Sequence, residues 1–117
     1  ANPRNKNKTR HVEQLKKALS YIETYYSQDI TLDDLAKTAG MSPKYFCRFF
    51  HEMTHRTPID YLNYYRIECA CAQMISSDIT ITEAALNCGF HDLSYFIKTF
   101  KKDKDITPNQ YLKMTVE

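Results

Sequence analysis

A chain of 117 residues has room for one domain, or for two small subdomains sharing an element, around a modest core. Its apolar content of 43% with 13% aromatic residues excludes a disordered chain. No apolar run reaches the ~18 residues needed to cross a bilayer and no signal-peptide pattern opens the sequence, so a cytoplasmic protein without a membrane partner is expected. The net charge of +2 does not by itself announce a nucleic-acid partner, but the charge is segregated. Arg4, Lys6, Lys8 and Arg10 come before any acid, and residues 29–34 are acidic.

Residues 1–10 are polar and read as a linker or tail whose basic groups face solvent. Val12, Leu15, Leu19, Ile22 and Tyr26 then recur at steps of three and four, which predicts an amphipathic helix over about residues 11–27. Six further helix starts follow. Thr31 with Asp34, and Thr80 with Glu83, have the spacing at which a hydroxyl and a carboxylate satisfy the orphan amides of a first turn. Ser42-Pro43, Thr57-Pro58 and Thr107-Pro108 place a capping hydroxyl before a proline whose missing N–H costs nothing at the first helical position. Asp92 caps the sixth. The long segment 58–76 is expected to be one helix with Leu62, Tyr65, Cys69, Ala72 and Ile75 along one side. With only two glycines and four prolines there is little room for hairpins, so an all-α chain of seven helices is predicted. Its parts would be a first subdomain over 11–56, a linker helix over 57–76 and a second subdomain over 77–117.

The four cysteines do not form a metal site by spacing. No CxxC pair exists, and Cys69 and Cys71, two apart on a helix, point to different sides. Cys47 and Cys88 stand alone, and His11, His51, His55 and His91 share no zinc-ligand register with them. Reduced thiols and no cofactor are expected.

The chain repeats itself. Aligning 30–40 with 79–89 brings Ile30 onto Ile79, Thr31 onto Thr80, Ala36 onto Ala85 and Gly40 onto Gly89. One extra turn residue later, Tyr45-Phe46 matches Tyr95-Phe96, Phe50 matches Phe100, and Thr57-Pro58 with Tyr61-Leu62 matches Thr107-Pro108 with Tyr111-Leu112. Each copy is a capped helix, an alanine small enough for a close crossing, a glycine able to reverse the chain, and a second helix, which is the plan of a helix-turn-helix.

At ~100° per residue, Phe46, Phe49, Phe50 and Met53 fall on one side of the helix after Ser42, with Lys44, Cys47, Arg48 and His51 opposite. In the matched helix Phe96 and Phe100 face inward, and Ser94, Ile97, Lys98 and Lys101 face outward. Such outward residues suit a DNA major groove. Arg48 can donate in a fork to guanine, Lys44 and Lys98 to guanine or phosphate, and Ile97 can meet a thymine methyl. Lys101, Lys102 and Lys104 are expected on phosphates, as are Thr31, Ser42, His51, Thr80 and His91. The 19 residues of segment 58–76 span ~28 Å as a helix, close to the ~34 Å of one duplex turn, so two reading helices on one side of a double-stranded DNA are expected.

The run from Gly89 through Phe90, His91, Asp92, Leu93, Ser94, Tyr95, Phe96, Ile97, Lys98, Thr99, Phe100, Lys101 and Lys102, with Ile106-Thr107-Pro108 and Tyr111, resembles the C-terminal signature of the AraC/XylS family of bacterial regulators. Ser42 to Phe50, and Arg66-Ile67 with Ala70, are similar to that family's pattern as well, so the resemblance covers about residues 12–112. It implies a seven-helix, two-subdomain domain that binds DNA and usually activates transcription by contacting RNA polymerase. It implies base reading by Lys44, Cys47 and Arg48 of the third helix and by Leu93, Ser94, Ile97 and Lys98 of the sixth. It further implies a fragment of a longer sensor-regulator, with dimerisation through a missing N-terminal domain; a stand-alone short regulator is the alternative. Four positions depart from the family pattern: His55 and Asp105 replace common glycines, and Gln73 and Ala84 replace larger apolar residues. The last two suggest a looser core in the second unit and more base specificity in the first.

No glycine-rich phosphate loop, nucleophile elbow or HExxH motif occurs, and no enzyme is expected. The competing reading is a helical protein-interaction module whose partner surface is formed by Phe49, Tyr61, Tyr64 and Tyr65.

Overall fold

The computed structural model describes the backbone of residues 3–116 and the side chains of residues 8–115. Among them are seven helices and no strand: α1 (Pro3–Tyr25), α2 (Leu32–Thr38), α3 (Pro43–Thr54), α4 (Pro58–Ser76), α5 (Ile81–Asn87), α6 (Leu93–Lys104) and α7 (Pro108–Val116). The helix expected from residue 11 begins eight residues earlier, at Pro3, so most of the expected linker is helical. The expectation for the side chains of Arg4 and Lys6 lies outside the described residues.

Every expected cap is made, but only one of the two expected reciprocal boxes is complete. Thr31 Oγ1 accepts from the Asp34 N–H at 3.1 Å while Asp34 Oδ2 accepts from the Thr31 N–H at 3.0 Å. Thr80 accepts from the Glu83 N–H at 3.0 Å, without the reciprocal bond. Ser42, Thr57 and Asp92 accept from Tyr45, Asp60 and Ser94. Thr107 and Gln110 form a second reciprocal box, at 3.2 and 2.9 Å.

The chain divides into two compact units, Ala1–Tyr25 with Ile30–Tyr61, and Tyr26–Asp29 with Leu62–Glu117. The division falls inside α4, and the short stretch Tyr26–Asp29 belongs with the second unit.

In the first unit α1 packs on α2 and α2 on α3. Ala18, Ile22, Leu35, Ala36, Ala39, Phe46, Phe49 and Phe50 are buried. Two expected core positions are exposed, Val12 at 42% and Met53 at 39%. Val12 sits about 100° from the middle of the stripe marked by Ala18 and Ile22, and His11 takes the inward place, edge-on to Phe49 at 5.4 Å. Met53 stands in the last turn of α3, beyond the end of the core.

In the second unit Ile67, Ala70, Cys71, Met74, Ala84, Ala85, Cys88, Phe90, Phe96 and Phe100 form one apolar cluster. The buried side of α4 is therefore Leu62, Ile67, Ala70, Cys71 and Met74, whereas the expected Ala72 and Ile75 are exposed. Apolar residues occur all round α4, so spacing alone could not choose its inner face. The looser packing expected near Gln73 and Ala84 does not open this core: Ala84 is fully buried, and half-buried Gln73 accepts from Asn87 Nδ2 at 3.2 Å.

The repeat in sequence is a repeat in space. Phe46 and Phe50 lie 5.6 Å apart and Phe96 and Phe100 5.8 Å apart. Phe50 meets Tyr61 edge-on at 5.6 Å and 73°, and Phe100 meets Tyr111 at 5.6 Å and 77°. The first turn of α4 thus does for the first unit what α7 does for the second.

Candidate nucleic-acid interface

Both turns between paired helices are built alike. Ala39 caps α2, Gly40 takes φ 68°, and the N–H groups of Gly40 and Met41 bond the carbonyls of Lys37 and Ala36. Cys88 caps α5, Gly89 takes φ 99°, and Gly89 and Phe90 bond Leu86 and Ala85 in the same way. This crossed pair of bonds needs a left-handed residue at the turn, which glycine supplies without strain. The second helix of each pair also ends on a left-handed residue, but there it is His55 at φ 62° and Asp105 at φ 66°. The two departures from glycine therefore keep the glycine-like backbone, closed by bonds of 2.8 Å from His55 to His51 and from Asp105 to Lys101.

With their phenylalanines buried, α3 and α6 each present the opposite side to solvent. On α3, Lys44, Arg48 and His51 are exposed and Cys47 is half-buried. On α6, Leu93, Ser94, Ile97, Lys98, Lys101 and Lys102 are all exposed, with Leu93 at 41% and Ile97 at 39%. An isoleucine and a leucine standing in water amid lysines have no burial to gain from the chain itself.

The remaining expected residues are exposed too, though several have local partners. The hydroxyls of Thr31, Ser42 and Thr80 each accept a helix-start amide, and each keeps its own proton for a further acceptor. His91 Nε2 lies 2.6 Å from Asp29 Oδ1. Lys104 differs from its expected role: it is drawn down onto the Glu68 carboxylate, with Asp103 at 3.9 Å, and is only 24% exposed. The Glu68 hydrogen bond is the main reason its ammonium pKa is raised. No spacing in the sequence announces a pair 36 residues apart.

Three features escaped the sequence reading. Arg10, expected in a polar tail, lines an open hollow with His11, Gln14, Ser42 and Tyr45 beside the first turn, and a second hollow with Lys17 and Lys37. Arg66, half-buried on α4, donates to the carbonyls of Tyr26 at 2.7 Å and Gln28 at 2.8 Å, and burial lowers its pKa from the ordinary value. Asn63 Nδ2 donates to the Tyr95 hydroxyl at 2.8 Å. By contrast, Phe49, invoked for a protein-partner surface, is buried at 4% exposure and cannot serve in one.

The cysteines are free thiols, and no cluster of three or more metal-binding side chains occurs among the described residues. Burial pushes the Cys88 thiol up to about 12 and the Tyr26 phenol, beside Cys69, up to about 12. No helix among the described residues is long and apolar enough to cross a membrane.

Comparison with known proteins agrees with this geometry. The family model described as "Helix-turn-helix domain" matches residues 35–114. The Bacillus subtilis regulator YdeC is 35% identical over 100 residues, covering 86% of this chain and 34% of that protein. The C-terminal domain of AraT, a response regulator from Geobacillus stearothermophilus, is 31% identical with a TM-score of 0.80, covering 86% of this chain and 84% of that one. The DNA-binding domain of AdpA, solved with a target DNA, is 25% identical with a TM-score of 0.77, covering 86% of this chain and 90% of that one. The chain spans only about a third of the length of the curated relatives YdeC and PocR. A doubled helix-turn-helix with this signature, this fold and these relatives places the chain in the AraC/XylS family of DNA-binding transcription regulators, a class of regulators and not of enzymes.

Proposed function

We propose that this chain is the DNA-binding part of a longer sensor-regulator that activates transcription in the cytoplasm by inserting α3 and α6 into neighbouring major-groove segments of one duplex. The observation that carries the reading is the doubling itself: two copies of one unit, each burying phenylalanines behind its second helix and exposing a front that carries cations, mixed with Leu93 and Ile97 on α6. AdpA's domain, solved on its target DNA, supports the same use of the fold.

In this reading Arg48 forks to guanine O6 and N7, Lys44 and Lys98 reach guanine or phosphate, and Ile97 and Leu93 meet thymine methyls. Cys47 and Ser94 complete the two reading faces. Thr31, Ser42 and Thr80 donate their free hydroxyl protons to phosphates, His51 and His91 offer ring N–H donors, and Lys101 and Lys102 add charge there. His91 does so beside Asp29, whose Oδ1 lies 2.6 Å from its Nε2. Contact with RNA polymerase and dimerisation through a further domain belong to the whole regulator, of which the match to a third of YdeC is the sign.

Binding titrations at several salt concentrations test the assignment. Arg48→Ala is expected to lose about 1–3 kcal/mol on the cognate duplex and much less on a scrambled one. Lys102→Ala is expected to weaken both alike and to lower the salt slope by about 1. Uniform losses for both variants would show that the reading residues are wrongly assigned.

A further inference from the structure

We propose that Tyr95 is a phosphate-gripping residue of α6 and that Asn63, on α4, is its positioning residue. The proposal rests on the reading of α6 as a DNA-facing helix.

Tyr95 is an oddity on its helix. Its neighbour Phe96 is fully buried, whereas Tyr95 is 47% exposed, with its ring tilted against Phe90 at 6.2 Å. Its hydroxyl is not left to rotate. Asn63 Nδ2 donates to it at 2.8 Å, which occupies an oxygen lone pair and fixes the phenol oxygen in place. A phenol that is already accepting can still donate, and its own proton has no acceptor among the described residues. An oxygen held by one donor and offering one proton is matched to an anionic oxygen, not to a second donor.

The place on the helix says which anion. Taking ~100° per residue, Ser94, Lys98 and Lys101 mark the middle of the exposed face, and Tyr95 and Lys102 lie together on one flank, i and i+7. The middle of a groove-bound helix meets base edges and its flanks meet the sugar-phosphate walls. Tyr95 and Lys102 thus pair a neutral donor with a cation along one wall. The matched helix lacks this arrangement: on α3 the residue seven after Tyr45 is Glu52, an acid that would repel a phosphate. Asn63 and Tyr95 are 32 residues apart, and no motif links them.

The test uses a duplex selected by the wild-type chain from random DNA, together with copies carrying one uncharged methylphosphonate at successive positions. Tyr95→Phe keeps the ring and removes the donor. It is expected to weaken binding about tenfold on cognate and scrambled DNA alike, the order of one hydrogen bond to a charged group. Asn63→Ala is expected to weaken binding about threefold in the wild-type background and not at all beside Tyr95→Phe. One methylphosphonate position should erase the difference between Tyr95→Phe and wild type, which a purely structural effect would not do. Wild-type affinity for Tyr95→Phe, or a loss that persists at every methylphosphonate, overturns the proposal while Lys98→Ala still weakens binding. If the wild-type chain selects no duplex and Lys98→Ala changes nothing, the reading of α6 fails, and the proposal with it.

Discussion

Gly40 and Gly89 hold equivalent places in the two turns, yet a methyl group would cost very different amounts at each. A Cβ on Gly40 meets nothing within 4 Å, so only its φ of 68° is at stake. A Cβ on Gly89 would lie 2.6 Å from the Tyr26 carbonyl oxygen and 2.8 Å from Arg66 Nε, the donor that bonds that same oxygen. Gly40→Ala is therefore expected to cost about 1 kcal/mol, the left-handed penalty alone. Gly89→Ala is expected to cost about 3 kcal/mol or more, because the guanidinium must also leave its two carbonyls. Urea titrations of both variants check this, and equal losses would contradict it. The sequence marks both glycines as turn residues through the repeat. It does not tell them apart, because the crowding comes from Tyr26 and Arg66, 63 and 23 positions away along the chain.

Apart from α1, which begins eight residues before its expected start, the helices were legible at their ends and less so along their faces. All six expected caps are made, because a cap is a local bond between residues two or three apart and its partners sit side by side in the sequence. Faces depend on what else arrives. His11 displaces Val12 as the inward residue of α1, and the inner side of α4 is set by α5 and α6 residues that spacing does not register. What those faces bury has a measurable consequence. Cys88 titrates at about 12 in the fold against an ordinary 9.0, and Tyr26 at about 12 against 10.0. Both folded values are raised, so their contribution to stability is whole below the ordinary pKa and is lost as pH climbs toward 12. Thermal melts of the chain should therefore fall in midpoint from pH 9 upward, and Cys88→Ala should flatten that fall. An unchanged slope in the variant would contradict the role of Cys88.

At the scale of the whole molecule, the doubling that makes the fold also carries the proposed function, and it was the part most legible in the sequence. Paired phenylalanines, tyrosines and glycines align because each unit must bury the back of one exposed helix. The two fronts are not copies: Lys44, Cys47, Arg48 and His51 stand on one, and Leu93, Ser94, Ile97 and Lys98 on the other. Arg48 carries the only fork donor of either set, which is the ground for proposing that the first unit discriminates bases more. Selection of bound duplexes from a random DNA library, run in parallel for the wild type, Arg48→Ala and Lys98→Ala, tests the central claim most directly. The account predicts a wild-type motif of two blocks about one helical turn apart, with Arg48→Ala erasing information in one block and Lys98→Ala weakening the other. A single block, or two variants that select the full wild-type motif, would contradict it.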